Sequence, residues 1–211
     1  MKHLWFCFIR GINNFGGSPV PSISHLADVC QDAFRDKGIP IELLDWYGPT
    51  GNLALVADGL PKATIQSTLV SIIEKPCALV SLDQLAAATA ALKGWPTPQN
   101  ESGVRWTQGL AFRCEGPVHS ATIRDSDLGT FLHIDSDMVG VYRKDIVGSD
   151  GNLDKKDRRG GWGAISTHIG SDLGGLWTAR SLSTVYGLVQ SAARKIPKIS
   201  MAPSQGEAVQ T

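Results

Sequence analysis

Short apolar runs and amphipathic stripes alternate along the first 93 residues, and their order predicts an architecture. His3 to Ile9 is aromatic and aliphatic, short, and halted at Arg10, which reads as a buried strand. Gly11 to Pro21 is a loop rich in Gly, Asn, Ser and Pro. Ser22 can cap a helix whose stripe is Ile23, Leu26, Cys30 and Phe34, and Lys37-Gly38 ends it. Ile39 to Trp46 and Leu53 to Ala57 read as strands joined by the tight turn Tyr47-Gly48-Pro49-Thr50-Gly51-Asn52. Pro61 opens a second helix with the stripe Ile65, Leu69, Ile72 and Ile73. Cys77 to Val80 is a fourth strand, and Ser81-Leu82-Asp83-Gln84 is a capping box for an alanine-rich helix reaching about Leu92. The order β-α-β-β-α-β plus a terminal helix is a split βαβ, or ferredoxin-like, arrangement.

The pattern weakens after residue 93. Residues 94–103, Gly-Trp-Pro-Thr-Pro-Gln-Asn-Glu-Ser-Gly, have linker composition. Leu110 to Cys114 and Met138 to Tyr142 read as strands, with His119 to Ile123 and Phe131 to Ile134 as less apolar candidates. Ser149 to Gly163 is polar, charged and glycine-rich, which predicts a long loop. Ser181 or Ser183 can cap a helix carrying Leu182, Val185, Leu188 or Val189, and Ala192. The expected fold class is α+β, with two ferredoxin-like or related α/β sandwich subdomains. Residues 1–93 form the βαββαβ unit, 94–103 a linker, 104–196 a second α+β unit that can echo the first in degenerate form, and 197–211 a flexible tail.

Charge is balanced at 20 basic and 20 acidic residues. That argues against a dedicated DNA-binding domain, which carries a basic excess, but leaves room for a local patch. Cys7, Cys30, Cys77 and Cys114 each lie in apolar stretches and form no C-x-x-C pair, so buried reduced thiols are expected. The opening apolar run is short for a signal peptide, and no window has the length of a membrane span. A soluble cytoplasmic protein with no membrane partner is the expectation.

A family resemblance rests on three places. Leu4 to Phe8 is followed by Arg10-Gly11-Ile12-Asn13 and Gly16-Gly17; Thr50-Gly51-Asn52 precedes an apolar strand; and Trp177-Thr178-Ala179-Arg180-Ser181-Leu182-Ser183-Thr184-Val185 comes late in the chain. In that order and spacing the chain resembles the bacterial domain of unknown function family 1697, over residues 1 to about 192. That family has Ser-Gly-Asn at the second place and Thr-x-Arg-Asn-Trp-x-Thr at the third, so Ser181 and Leu182 depart from its pattern. The resemblance implies an α+β protein of two ferredoxin-like or related subdomains, and no established reaction, substrate or cofactor.

Candidate chemistry gathers at predicted strand ends and helix starts. Arg10 can bind an anion bidentately, helped by amides around Gly11 to Gly17, or can brace the loop. Asn13 and Asn52 can read a polar ligand, or serve the turns where Asn is at home. Arg180 precedes a predicted helix, where it can join an anion site or make a structural ion pair; Thr178 and Thr184 add hydroxyls that also suit capping. No P-loop, dinucleotide fingerprint or nucleophile elbow occurs, and no paired histidines mark a metal site, so neither a cofactor nor a metal is expected. His133, Asp135 and Asp137 would share one face of a regular strand, a loose cluster that a solvated strand end also explains; His133 or Asp135 is the available candidate for acid–base work.

Three function classes follow. The first is a binding protein for a small anionic or nucleotide-like molecule, held in a cleft between the subdomains by Arg10, Asn13, Asn52, Arg180 and Thr184. The second is an enzyme acting on such a ligand. The third is a nucleic-acid or protein interaction domain using Lys155, Lys156, Arg158, Arg159 and Trp162, where basic charge adjoins a ring able to stack on a base. Oligomeric state is not legible.

Overall fold

A computed structural model describes residues 2–11, 23–47, 51–99, 101–119, 122–148, 150, 152 and 161–195. Strands β1 (Lys2–Ile9), β2 (Ile41–Trp46), β3 (Asn52–Asp58) and β4 (Cys77–Ser81) alternate with helices α1 (Ile23–Asp36), α2 (Lys62–Ile73) and α3 (Leu82–Gly94). They form an antiparallel sheet in the order β2-β3-β1-β4. β3 is interleaved between the strands that α1 joins, as a split βαβ pattern requires. Ser81 caps α3 with the expected reciprocal box: its hydroxyl accepts from the Gln84 amide, and the Gln84 side chain accepts from the Ser81 amide.

The second half contains β5 (Val104–Glu115), β6 (Gly129–Asp135), β7 (Met138–Ile146), α4 (Gly161–Leu173), β8 (Leu176–Ser181) and α5 (Leu182–Lys195). Its sheet is also antiparallel, in the order β6-β7-β5-β8. Four sequence expectations change here. β5 begins six residues before Leu110, at Val104. His119, Thr122 and Ile123 are not in a strand. Helix α4 and strand β8 occupy stretches that had carried no predicted element, and Trp162, expected in a loop, lies in the first turn of α4. Finally, β6 is irregular between His133 and Asp135, and Asp137 sits in the β6–β7 turn, so the expected His133–Asp135–Asp137 face is not formed.

The order of layers explains the distribution of apolar residues. One face of the first sheet packs Cys7, Ile9, Leu53, Leu55 and Leu79 against α1 and α2. Its other face meets the second sheet directly, and Phe8 stacks on Phe112 at 4.1 Å between ring centroids with the planes 1° apart. Leu85, Ala88 and Leu92 of α3 and Val185, Leu188 and Ala192 of α5 complete this shared middle layer. The outer face of the second sheet, with Ala111, Val139, Val141 and Trp177, is covered by Ile165, Ile169 and Leu173 of α4. The stretch read as a linker is held too: Trp95 packs on Tyr142 at 4.6 Å, and the Tyr142 hydroxyl lies 3.3 Å from that of Thr97. None of the described helices is long and apolar enough to cross a membrane.

The halves repeat each other. Phe8 pairs with Asn52 and Ala78 just as Phe112 pairs with Met138 and Thr178. The buried stripe Ile65, Leu69, Ile73 of α2 answers to Ile165, Ile169, Leu173 of α4. Ser81-Leu82 at the start of α3 answers to Ser181-Leu182 at the start of α5. These matches make Arg180 the counterpart of Val80, Ser166 the counterpart of Gln66, and Arg10 the counterpart of Cys114.

Candidate functional site

Where β1 ends, the chain leaves the sheet through Arg10 and Gly11, and the Arg10 amide donates to the Pro76 carbonyl at 2.8 Å. Gly11 takes a left-handed φ of 78°, a conformation in which a side chain would be strained. Beside this exit runs β8, the edge strand of the second sheet, and across from it begins α4. The three segments enclose a cavity of about 620 Å³ lined by Arg10, Arg143, Trp162, Ser166, Arg180, Thr184 and their neighbours.

Arg180 forms one wall. It is buried, and it reaches from β8 into the first sheet. Its Nε donates to Asn52 Oδ1 at 2.8 Å, Nη1 to Thr178 Oγ1 at 2.6 Å and to the Ala179 carbonyl at 2.9 Å, and Nη2 to the Ile9 carbonyl at 2.6 Å. Burial pulls the guanidinium down to about 10, which still leaves it charged at neutral pH. Asn52 is buried as well and donates its Nδ2 to the Tyr47 carbonyl at 2.9 Å, so the end of the β2–β3 turn is tied to the same arginine. Arg180 thus holds the Ile9 carbonyl, one residue before Arg10.

Arg143 forms the opposite wall. Its Nη2 pairs with Asp145 Oδ1 at 2.7 Å, and its guanidinium lies 4.7 Å from the centre of the Trp162 ring. Thr107 Oγ1 donates to Asp145 Oδ2 at 2.6 Å, fixing that carboxylate. Trp162 in turn covers Gly109, where a Cβ would collide with the indole. The ring is therefore packed on both a glycine and an arginine. Hydroxyls on the helices serve local structure: Ser166 donates to the Trp162 carbonyl at 2.9 Å, and Ser181 accepts from the Thr184 amide at 3.2 Å as the cap of α5.

The sequence-derived residues divide as follows. Arg10, Arg180 and Thr184 line one cavity. Asn52 stands behind it, holding Arg180. Asn13, Lys155, Lys156, Arg158 and Arg159 lie outside the described residues. Ser166 and the α4 start were not anticipated, because α4 itself was not; the signal available was the spacing Ile165, Ile169, Leu173. Arg143 was missed because β7 runs on past Tyr142, where the predicted strand ended. Among the described lining residues there is no Asp, Glu, His, Cys or Lys. His133 and Asp135 are not among them, and Asp137 is bound elsewhere, to Arg113 and Lys62. All four thiols are free and buried; burial pushes those of Cys30 and Cys114 up to about 12.

The fold defines an α+β protein of two packed four-stranded antiparallel sheets. A solved structure with this fold is that of the conserved bacterial protein SP0830 from Streptococcus pneumoniae, which covers 91% of this chain and 99% of its own at a TM-score of 0.53 and 14% identity. That likeness speaks to fold. No family model matches the chain, and no curated protein matches it.

Proposed function

We propose that this is a cytoplasmic bacterial protein of the family 1697 type that binds a small anionic or nucleotide-like ligand beside Arg10. The carrying observation is the charge of the cavity wall: three arginines and, among the described lining residues, no carboxylate. Arg10 is half-buried, and no described residue ion-pairs with it or hydrogen-bonds its side chain, which leaves its guanidinium available to a ligand. A cavity of about 620 Å³ is of the size that small molecules occupy. The same lining favours binding over catalysis, because it offers no acid or base near neutrality. The packing of Trp162 against Gly109 and Arg143 weighs against its use as a stacking platform for nucleic acid.

The test is a thermal-shift screen with nucleotides, phosphorylated metabolites, carboxylates and short oligonucleotides, run on the wild type and on Arg10→Ala. A ligand at about 100 times its dissociation constant should add about 2.7 kcal/mol, a visible rise in melting point. The rise should vanish in Arg10→Ala with the unliganded melting point unchanged. Stabilisation by oligonucleotides alone, indifferent to Arg10, would defeat the reading.

A further inference from the structure

We propose that the ligand of the cavity beside Arg10 is a short extended peptide bearing a carboxylate, added to the edge of β8 as one more strand; this rests on the anion-binding reading above and names the class of ligand. The direction of the peptide groups in the second sheet carries the inference. The Arg113 amide donates to the Asp137 carbonyl and the Val147 amide to the Gly103 carbonyl, each at 2.9 Å, so odd-numbered residues of β5 turn their peptide groups towards β7. Even-numbered ones turn theirs towards β8, where Leu110 pairs with Arg180 and Phe112 with Thr178. Trp177 and Ala179 therefore point their amides and carbonyls off the edge of the sheet, and Ser181 points its amide the same way. All three residues line the cavity.

The matching edge of the first half is capped by side chains. On β4 the Cys77 carbonyl accepts from Gln66 Nε2 at 2.7 Å, and the Ser81 amide donates to Gln84 Oε1 at 3.0 Å. In the second half the place of Gln66 is held by Ser166, which donates to the Trp162 carbonyl. The place of Gln84 is held by Thr184, whose hydroxyl lies 2.8 Å from that of Ser181. The Ala179 carbonyl takes Arg180 Nη1 at 2.9 Å, but among the described residues nothing bonds the Trp177 carbonyl, the Ala179 amide or the Ser181 amide. Trp177 and Ala179 are buried, and buried main-chain groups are nearly always paired. These groups are one acceptor and two donors. A simple anion offers acceptors alone and leaves the Trp177 carbonyl unmet. An extended peptide presents an N–H and a C=O on the same edge at every second residue, so it answers both kinds, and its carboxylate answers Arg10.

The experiment measures equilibrium binding to the full chain at pH 7 by tryptophan fluorescence, Trp162 and Trp177 being in the wall. The probes are acetate, N-acetyl-tetraalanine with a free carboxyl group, and two forms of that peptide N-methylated at the second or at the third alanine. Tetraalanine should bind at least about tenfold tighter than acetate, the gain of two or three added hydrogen bonds. Arg10 holds the carboxylate and so sets the register. One N-methylated form should then fall to the affinity of acetate while the other keeps that of the parent, because successive amides of a strand point to opposite edges. Arg10→Ala should weaken acetate and peptide alike. Arg10-dependent binding of acetate with no gain for the peptide would overturn the strand and leave the anion site standing. Two N-methylated forms that behave alike would overturn it as well. Peptide binding indifferent to Arg10→Ala would remove the carboxylate contact and the anion-binding reading, and failure of every probe would remove both proposals.

Discussion

The two halves repeat one design, yet the ends of the sandwich where each helix pair meets its edge strand are finished differently. At one end Gln66 of α2 donates from Nε2 to the carbonyls of Cys77 at 2.7 Å and Cys114 at 3.0 Å, stitching β4 to β5. Beside it Asp137 sits between Arg113, at 2.5 Å, and Lys62, at 3.2 Å. That end is closed by side chains of the protein itself. At the other end the position of Gln66 is taken by Ser166, too short to reach across, and the position of Cys114 is taken by Arg10. There the cavity opens, and the apolar Val80 of the closed end is replaced by the buried cation Arg180. The same backbone plan therefore yields a sealed end and a charged opening through a few substitutions. Polar residues in an otherwise apolar repeat mark the place where function is to be sought.

The largest expected effect separates Arg180 from Val80. Arg180→Ala should cost about 3–5 kcal/mol, because it leaves a cavity and strands the buried partners Asn52 and the Ile9 carbonyl. Val80→Ala should cost about 2 kcal/mol from lost burial alone. Chemical denaturation of both variants measures the difference. Equal costs would mean that Arg180 is no brace and that the two ends are held alike.

Next comes the exchange of the plug. Gln66→Ala should lose about 1–3 kcal/mol, since two buried carbonyls lose their donor. Ser166→Gln should do the reverse at the open end. It should leave the melting point level or higher while removing ligand-induced stabilisation, because the longer side chain fills the cavity. Retained ligand response in Ser166→Gln would break the equivalence of the two positions.

Asp137 gives the closed end a pH signature. Burial on its own would raise this carboxyl, but the hydrogen bond from Arg113 and the charge of Lys62 carry it below its ordinary value. A carboxyl whose folded pKa is depressed contributes stability that is present above the unfolded value of about 3.9 and is lost as pH falls through the folded value. Asp137→Asn should therefore lower stability at pH 7 by about 1 kcal/mol or less, the pair being partly exposed, and should flatten the decline below pH 4. An unchanged acid limb in urea melts at pH 3 to 5 would remove Asp137 from the account.

How much of this was legible in the chain follows from what each element relies on. The first half spells out its elements locally: the apolar run before Arg10, the proline ahead of α2 and the Ser81–Gln84 box each act within a few residues. In the second half α4 carries Gly161, Gly163 and Gly170, poor helix formers, and owes its form to Ile165, Ile169 and Leu173 packing on the sheet. β8 hides because Arg180 interrupts its apolar run, and its burial is bought by acceptors from strands 128 and 171 residues away in sequence. Arg10 and Arg180 stood out as residue types with a chemistry. That they line one cavity, and that Asn52 serves Arg180, depends on the packing of two sheets, which no local pattern encodes.

The smallest expected effect lies at the turn that follows the matched helices. Glu74, after α2, adopts a left-handed φ of 55°, and its counterpart Gly174, after α4, has φ 87°. Both close the helix in the manner that glycine serves best, the Glu74 amide donating to the Val70 carbonyl at 2.8 Å. At Gly174 a Cβ would come within 2.9 Å of the Pro117 carbonyl and press on the His119 ring, so glycine is needed there for space as well as for conformation. Glu74 is exposed and bears only the conformational cost, about 1–2 kcal/mol for a non-glycine residue. Glu74→Gly should recover that cost less the greater freedom of glycine in the unfolded chain, about 0.4–1 kcal/mol. The net gain should be about 0.5 kcal/mol, read as a rise of 1 to 2 °C in melting temperature at roughly 2–4 °C per kcal/mol for a chain of this length. A fall in melting temperature would mean that the Glu74 side chain contributes more to the fold than its exposure suggests.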